Sequence, residues 1–196
     1  MKYVIMADGK GKRWNNYDNI PKHFVIINGE TVLSRVVRLI RQYDTEADVI
    51  ITSHDQRYEV EGARRYEPKN NVLEIDRFTE ELIEDNMCFL YGDTYYSEEA
   101  MQRIVNMKVD DIHFFGNGKS IVAIKITDAE LFRYHVNNVR ELFLKGEINQ
   151  CIGWQVYQSF RGLPFGIKQV VDKYEYLSDD TQDFNTPDDL QDVGRK

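Results

Sequence analysis

The feature that most constrains the fold lies at the start of the sequence, where a short apolar run breaks into a loop of glycine and basic residues. The run is Tyr3-Val4-Ile5-Met6, and the loop is Ala7-Asp8-Gly9-Lys10-Gly11-Lys12-Arg13. The two glycines of the loop let the backbone bend tightly and bring bare N–H groups close to an anion. Its three basic side chains add positive charge at the same corner. The pattern predicts a strand followed by a phosphate-binding loop.

This loop differs from the two best-known phosphate-binding loops. A Walker loop has Ser or Thr after its Gly-Lys pair, whereas Lys12-Arg13-Trp14 follows Gly11 and offers no hydroxyl to a magnesium ion. A dinucleotide-binding fingerprint needs a third glycine where Trp14 stands. The loop by itself is therefore equally compatible with a phosphate site and with a lysine-rich surface turn.

Downstream, apolar runs of strand length alternate with segments of helical periodicity. Strands are predicted over residues 48–53, 87–91, 120–127 and 167–172, and residues 23–27 are predicted to be a short extended segment. Helices are predicted over residues 31–43, 74–85, 97–107, 128–145 and 149–160. Because the run at 48–53 is apolar throughout its centre, it suits a parallel sheet that is covered on both faces. We therefore expect one α/β domain.

Length and composition exclude several classes of protein. The chain of 196 residues can bury a full core as one domain. No run approaches the roughly 18 apolar residues of a membrane span, and the N-terminus enters a strand without a signal-peptide pattern, so we expect a cytoplasmic protein with no membrane partner. Cys88 and Cys151 lie in no C-x-x-C or Cys/His cluster, which argues against zinc and redox chemistry.

The charge distribution favours a small anionic ligand. Residues 1–41 carry eight Lys and Arg against three acids, a balance of +5, whereas the whole chain has a net charge of −8. An acidic surface argues against a nucleic-acid partner, which would need a basic face. A basic pocket in an acidic protein fits a polyanion such as a nucleoside triphosphate.

Two further segments carry candidate functional residues. Asp93 follows Gly92 at the end of a predicted apolar strand, where open sheets hold ligands, and the glycine is interpreted as letting the backbone turn the carboxylate outward. Asp183 and Asn185 alternate on an extended segment, so they point the same way. Thr186 is predicted to cap a helix that follows. Helix capping does not explain Asp183 and Asn185.

These motifs resemble those of the nucleotidyltransferase superfamily, and most closely its molybdenum-cofactor and phosphocholine-cytidylyltransferase types. The opening loop, with Pro21-Lys22 and the later Gly29, resembles A-A-G-x-G-x-R…P-K…G, and residues 183–190 resemble D-x-N-T-P-E-D-L. Position 8 departs from the pattern, because Asp8 stands where the family usually has a small residue. A carboxylate there should repel triphosphate oxygens unless it faces away, pairs with a lysine or touches a metal ion.

The resemblance implies a fold and an activity. The fold is a three-layer α/β/α sandwich, the Rossmann-like nucleotide-diphospho-sugar transferase fold, with a mostly parallel mixed sheet. One domain would span residues 1–196, with a nucleotide-binding half at 1–93 and an acceptor-side half at 94–196. The activity is transfer of a nucleoside monophosphate, CMP being favoured, from the triphosphate to a phosphorylated small molecule, with Mg²⁺ as cofactor and release of pyrophosphate.

The resemblance also implies roles for particular residues. Asp93, Asp183 and Asn185 would hold the magnesium ion, while Arg13 and Lys22 would supply catalytic charge, with Lys22 at the α-phosphate. The segment near residue 70 would read the base, although a plain Asn-rich turn fits those residues equally well. Lys168 and Lys125 are further cations whose direction the sequence leaves open. The nucleotide-binding residues would be Ala7, Asp8, Gly9, Lys10, Gly11, Lys12, Asn70 and Asn71.

Two alternatives remain open at the level of sequence. A glycosyltransferase of the related nucleotide-sugar fold would use a D-x-D pair at the strand end, and the residues here are Asp93-Thr94-Tyr95, which lack the second carboxylate. A nucleotide-binding module without catalytic activity is the other alternative, and Asp8 is the main reason to consider it.

Overall fold

The computed structural model of the chain describes residues 1–11, 13–15 and 17–193. No α-helix in these ranges is long and apolar enough to cross a membrane. The α-helices are α1 (Val32–Tyr43), α2 (Glu98–Asn106), α3 (Ala129–Leu144) and α4 (Gly153–Arg161). The strands are β1 (Lys2–Met6), β2 (Ile26–Ile27), β3 (Glu30–Thr31), β4 (Asp48–Thr52), β5 (Arg64–Tyr66), β6 (Met87–Tyr91), β7 (Thr94–Tyr95), β8 (Ile112–Gly116), β9 (Ile121–Ile126), β10 (Tyr174–Tyr176) and β11 (Gln182–Asp183).

Seven strands form one sheet in the order β10-β8-β9-β6-β1-β4-β5. Strand β9 runs antiparallel to its neighbours β6 and β8, and the other pairs of this sheet are parallel. Strands from residues 1–93 and from residues 94–196 therefore share one sheet. The sheet is mostly parallel and mixed, as the resemblance implied.

Two hydrophobic clusters cover the two faces of the sheet. Alternate residues of β1 divide between them, because side chains of a strand point to opposite faces. Val4 and Met6 belong to a cluster that contains residues of α3 and α4, whereas Tyr3 and Ile5 belong to one that contains residues of α1 and α2. Cys88 lies in the second cluster, and burial raises its pKa to about 12. The predicted three-layer α/β/α sandwich is confirmed.

The predicted helix at 128–145 is present with its predicted ends. The carboxylate of Asp128 accepts a hydrogen bond from the backbone N–H of Leu131 at 2.9 Å, so Asp128 caps α3. The helix stops before Gly146, whose φ of 73° lies in the left-handed region that favours glycine. Thr31 and Ser97 cap α1 and α2 in the same manner.

The prediction of a helix over residues 74–85 was wrong. The structure has two 3-10 turns there, Glu74–Arg77 and Glu80–Leu82. The apolar spacing misled the prediction, because residues three apart also share a face in a 3-10 turn. The aromatic ring of Phe78 packs edge-on against Phe89 and Phe132, with centroids 5.4 Å apart in each pair.

The strand predicted over residues 167–172 is also absent, and the strand at the sheet edge is β10. The backbone of the predicted segment bonds to a side chain instead of to a neighbouring strand. The Tyr157 hydroxyl accepts from the N–H of Val171 at 2.8 Å and donates to the carbonyl oxygen of Asp172 at 3.0 Å. Ile167 is exposed, so its apolar side chain does not mark a buried strand.

The short extended segment predicted at residues 23–27 forms only in part. Residues Lys22–Phe24 make a 3-10 turn after Pro21, and strand β2 follows. The turn is closed by a hydrogen bond from the N–H of Phe24 to the carbonyl oxygen of Pro21 at 2.9 Å. This turn fixes the position of Lys22, which is its first residue.

Candidate active site

The carboxyl ends of three parallel strands bring candidate residues to one edge of the sheet. The last residues of β4, β1 and β6 lie side by side in the register of the sheet. The segments that follow them contain Asp8, His54 and Asp93, which therefore start from the same edge. This is the edge at which open α/β sheets hold ligands.

Gly92 is needed for space. Its N–H donates to the carbonyl oxygen of Met6 at 3.0 Å, and a Cβ at this position would lie 2.9 Å from that oxygen. The same Cβ would lie 3.2 Å from the ring of His23. The interpretation that Gly92 turns the carboxylate outward by backbone freedom is therefore replaced by one of close packing between the ends of β6 and β1.

Asp93 and Lys22 form an ion pair at this edge. The Lys22 ammonium donates to the Asp93 carboxylate and also to the carbonyl oxygen of Phe184, at 3.2 Å. Only 12% of the Lys22 side chain and 14% of the Asp93 side chain are exposed. Burial by itself raises the pKa of Asp93, but the adjacent positive charge outweighs it, and the pKa lies below its ordinary value. Asp93 is therefore ionised at neutral pH.

A short antiparallel ladder brings the third motif to the same place. Asp183 of β11 pairs with Thr94 of β7, and the N–H of Phe184 donates to the carbonyl oxygen of Asp93 at 2.8 Å. The ring of Phe184 is fully buried, so it anchors the ladder. It packs in a cluster with Trp14, Val25, Val32 and Tyr95.

Asn185 connects the third motif to the first loop. Its side-chain N–H donates to the Asp183 carboxylate, and its side-chain oxygen accepts from the Arg13 guanidinium at 2.7 Å. The Asp189 carboxylate accepts from the backbone N–H groups of Asn185 and Thr186, at 2.8 and 2.7 Å. Thr186 is the N-cap residue, as predicted, but its hydroxyl donates to the Asp189 carboxylate at 3.0 Å and accepts no bond from the turn. The segment that follows is a 3-10 turn, Pro187–Asp192, and not the predicted helix.

The glycine-rich loop turns where the sequence predicts. Gly11 has a φ of 55°, and its carbonyl oxygen accepts from the N–H of Trp14 at 3.0 Å. Trp14 is buried, and its indole N–H donates to the carbonyl oxygen of Ile20 at 2.9 Å. Lys10 is exposed at the tip of the loop, and Lys12 lies outside the described residues.

Two adjoining cavities bring most of the predicted residues together. The first, of about 300 Å³, is lined by Gly9, Lys10, Gly11, Lys22 and Asn71, and the second, of about 250 Å³, by Asp183. Both are lined by Arg13, Arg77, Asp93 and Asn185. Ala7 and Asp8 line a third cavity with His54, which adjoins the first at the glycine-rich loop and Lys22. Exposed Asn70 lines none of these three.

Sequence reasoning missed Arg77. Its guanidinium lies against the loop, since a Cβ on Gly9 would be 3.5 Å from the guanidinium carbon, and it lines both cavities. A signal was present, because Arg77 is the one basic residue among six acidic ones in residues 74–85. Its position required the tertiary structure.

The direction of the two other lysines is settled by their partners. Lys125 is buried, and its ammonium donates to the carbonyl oxygens of Ile104, Val105 and Met107 at the end of α2, so it is a structural cap. Lys168 lines the second cavity, where its ammonium lies 5.1 Å from the ring centroid of Trp154.

The residues at this edge of the sheet include the type of ligand that a magnesium ion needs. No group of three or more His, Cys, Asp or Glu side chains that could hold a metal ion occurs among the residues described. Magnesium needs fewer, because it is usually bound by one or two carboxylates together with substrate phosphates and water. Asp93 lies between β6 and β7, Asp183 ends β11 beside β7, and both carboxylates are hard oxygen donors that line the same cavity.

His23 is buried and belongs to the lining of the first cavity. Its Nδ1 lies 2.8 Å from the hydroxyl oxygen of Tyr58. Burial lowers the pKa of His23 to about 4, although the negative charge of Asp93 acts in the opposite direction. His23 is therefore neutral at pH 7.

This low pKa predicts a loss of stability in mild acid. Between about pH 6.5 and pH 4 the unfolded chain binds a proton at residue 23 that the folded protein does not. The free energy of unfolding should therefore decrease as the pH is lowered. From this group alone it should be about 2 kcal/mol smaller at pH 5 than at pH 7.5. Urea unfolding at pH 7.5 and pH 5 checks this, because His23→Gln should lose about 2 kcal/mol less than the unchanged protein. An equal loss in both proteins would contradict it.

Comparison with known proteins gives similarity of structure only. No protein-family model matches the sequence, and no curated protein matches it. The chain is similar to the solved structure of CTP:phosphocholine cytidylyltransferase from Streptococcus pneumoniae, with 14% identity, a TM-score of 0.60, and coverage of 97% of this chain and 96% of that one. A nucleoside-diphosphate-sugar pyrophosphorylase from Vibrio cholerae matches with 11% identity, a TM-score of 0.63, and coverage of 99% and 100%.

A third similar structure is 4-diphosphocytidyl-2C-methyl-D-erythritol synthase from Anaerococcus prevotii, with 12% identity, a TM-score of 0.59, and coverage of 97% of this chain and 92% of that one. These structures all span almost the whole chain. The protein therefore has the Rossmann-like fold of the nucleotidyltransferases, which confirms the fold that the motifs implied.

Proposed function

We propose that this protein is a nucleotidyltransferase, which transfers a nucleoside monophosphate from a nucleoside triphosphate to a phosphorylated small molecule and releases pyrophosphate. The observation that carries the proposal is the convergence of three distant motifs on adjoining cavities. The loop with Gly9 and Gly11, the strand end at Asp93 and the segment at Asp183 meet there, on a fold shared with nucleotidyltransferases.

The glycine-rich loop is the proposed site for the triphosphate. Backbone N–H groups at Gly9 and Gly11 can approach phosphate oxygens closely, because no Cβ stands in the way. Lys10, Arg13 and Arg77 surround the first cavity with positive charge. Lys12 belongs to the same proposed site by its place in the sequence. Together these groups suit the β- and γ-phosphates, which leave as pyrophosphate.

Asp93 and Asp183 are the proposed ligands of a magnesium ion, with Asn185 beside them. When bound, the ion would neutralise phosphate charge and favour departure of pyrophosphate. Lys22 is held at the Asp93 carboxylate and lines the first cavity, so it is positioned to stabilise the charge that builds up at the α-phosphate.

The proposed reaction requires no general base. An ionised phosphate oxygen of the acceptor attacks the α-phosphorus, a new P–O bond forms, and the bond from the α-phosphorus to the bridging oxygen of the β-phosphate breaks. Both electrons of that bond leave with pyrophosphate. Orientation and charge neutralisation account for such a reaction.

The second cavity is the proposed site for the acceptor. It adjoins the first cavity at Asp93 and is lined by the cations Arg77, Lys119 and Lys168. These charges suit a phosphorylated acceptor. The ring of Trp154 in the same cavity provides an apolar wall for the rest of that molecule. Precursors of surface polysaccharides or phospholipids are of this kind.

CTP is the proposed donor. The names of two similar structures, those from Streptococcus pneumoniae and Anaerococcus prevotii, refer to cytidylyl chemistry, which supports this preference. Asn71 lines the first cavity, and its side-chain amide can form a hydrogen bond with a base edge.

Release of pyrophosphate from a panel of substrates tests the proposal. CTP, UTP, ATP, GTP and dTTP are each combined with phosphocholine and with sugar 1-phosphates, with Mg²⁺ or with EDTA. We expect acceptor-dependent pyrophosphate release that EDTA abolishes. Triphosphate binding without any release would indicate a binding module, and transfer of sugar from a nucleotide sugar would indicate a glycosyltransferase.

A further inference from the structure

The side-chain amide of Asn71 is fixed in one orientation. Its Nδ2 donates to the backbone carbonyl oxygen of Asp8 and to the Asp8 carboxylate, at 2.7 Å in both cases. Both partners are acceptors, so the nitrogen and not the oxygen of the amide must face them. The two N–H groups of the amide are thereby used.

Asp8 is itself held in place by His54. The backbone N–H of His54 donates to one oxygen of the carboxylate at 2.9 Å, and the imidazole Nδ1 lies 2.6 Å from the other oxygen. Only 12% of the Asp8 side chain is exposed. The carboxylate is therefore paired with the segment after β4 and with Asn71, and Asp8 does not line the first cavity.

The loop on the other side of this contact is also anchored. The Asp76 carboxylate accepts from the backbone N–H groups of Val72 and Leu73, at 2.9 and 2.8 Å. Asp76 is buried and forms an ion pair with Arg140 of α3. Asn71 therefore lies between two anchored segments.

Asn71 faces the proposed nucleotide cavity together with an apolar surface. Asn71, Val72 and Leu73 line the cavity that the glycine-rich loop also lines, and Val72 is 75% exposed. An exposed apolar side chain beside an amide matches the two needs of a nucleobase, which are cover for its ring and a polar partner for its edge.

The side-chain amide of Asn71 keeps one kind of hydrogen-bonding group for a ligand. Its oxygen, Oδ1, has no hydrogen-bond partner among the residues that the structure describes. A carbonyl oxygen can only accept. It pairs with an exocyclic amino group and repels the carbonyl oxygen that replaces this group in uracil or hypoxanthine.

We propose that Asp8 is a positioning residue that sets the base preference through Asn71. By holding both amide N–H groups, it leaves Oδ1 to select cytosine over uracil and adenine over hypoxanthine. This rests on the proposed function, since it takes the first cavity to hold a nucleotide. The departure from the family pattern at position 8 thereby acquires a role.

Binding of matched nucleotides tests the proposal without turnover. Isothermal titration calorimetry with Mg²⁺ and no acceptor gives the dissociation constants of CTP, UTP, ATP and ITP. The Asn71 oxygen can accept from the amino group of cytosine or adenine but repels the carbonyl oxygen of uracil or hypoxanthine. CTP should therefore bind more tightly than UTP, and ATP more tightly than ITP, by about tenfold or more. In Asp8→Ala one amide N–H becomes free to pair with a carbonyl, so both ratios should fall below about threefold.

If Asp8 had only a structural role, Asp8→Ala would weaken the binding of all four nucleotides alike. The CTP/UTP and ATP/ITP affinity ratios would then stay unchanged, and this result would overturn the proposal. Asn71→Ala removes the side-chain amide and should also abolish the preference. This variant replaces Asp8→Ala in the test if Asp8→Ala does not fold. Asn137→Ala, an exposed change on α3, is the matched control. Binding of CTP and UTP with equal affinity would overturn this inference but leave the proposed function standing. Binding of none of the four would overturn both.

Discussion

Replacing Asp93 by asparagine is expected to lower the rate of pyrophosphate release by about a thousandfold or more, while the protein remains folded. Asparagine keeps the shape of the side chain but removes the negative charge that pairs with Lys22 and that a magnesium ion would need. The measurement is steady-state turnover with the best donor and acceptor found in the substrate panel, together with far-ultraviolet circular dichroism.

Asp188→Asn is the control for this variant. Asp188 belongs to the late motif that contains Asp183, but it is exposed and lines none of the cavities described above. It should retain near-normal turnover. More than a tenth of normal turnover in Asp93→Asn would contradict the assignment of Asp93 to the reacting centre.

Replacing Lys22 by methionine is expected to lower kcat by about a hundredfold to a thousandfold. Methionine has a similar length and no charge, so the change removes the ammonium that the Asp93 carboxylate and the Phe184 carbonyl oxygen hold at the cavity. The reason for the large effect is that negative charge at the α-phosphate should grow as the transition state forms, and Lys22 is the proposed cation there. Separate determination of kcat and KM for the triphosphate is the measurement.

The two constants distinguish a catalytic charge from a binding charge. An equal decrease in kcat and kcat/KM indicates that Lys22 makes its interaction only in the transition state. A raised KM with unchanged kcat indicates that Lys22 binds the ground state and the transition state equally. The latter result would remove Lys22 from its proposed role. Lys145→Met is the control, because Lys145 is exposed and pairs only at the surface with Glu141.

Much of the fold was predictable because its signals are local. Strand β6 and helix α3 follow from a continuous apolar run and from a capped periodic segment, each readable within about twenty residues. The turn at Gly11 and the cap at Thr186 follow from residue types that favour those backbone conformations. The same motifs identified the fold through their resemblance to the nucleotidyltransferases, and the solved structures confirmed it.

The wrong predictions arose where a contact with another segment replaced a local pattern. Residues 167–172 have a strand-like sequence, but the hydroxyl of Tyr157 bonds to their backbone in place of a sheet neighbour. Residues 74–85 have helical spacing, but the chain forms two 3-10 turns that carry Phe78 into the aromatic core. Neither contact has a signal within the segment itself.

The sequence by itself determined which chemical groups this protein has for a polyanion and a hard cation. Its glycines, its basic residues and the carboxylates of Asp93 and Asp183 are visible in local motifs, because residue type and spacing carry that information. Only the tertiary structure decided that Asp183 pairs with Thr94, next to Asp93, and that Arg77 lies against Gly9. It also decided that the Asp8 carboxylate accepts a hydrogen bond from Asn71. These contacts join segments far apart in the chain, and they exist because the folded sheet and its buried anchors bring strand ends and loops to one edge.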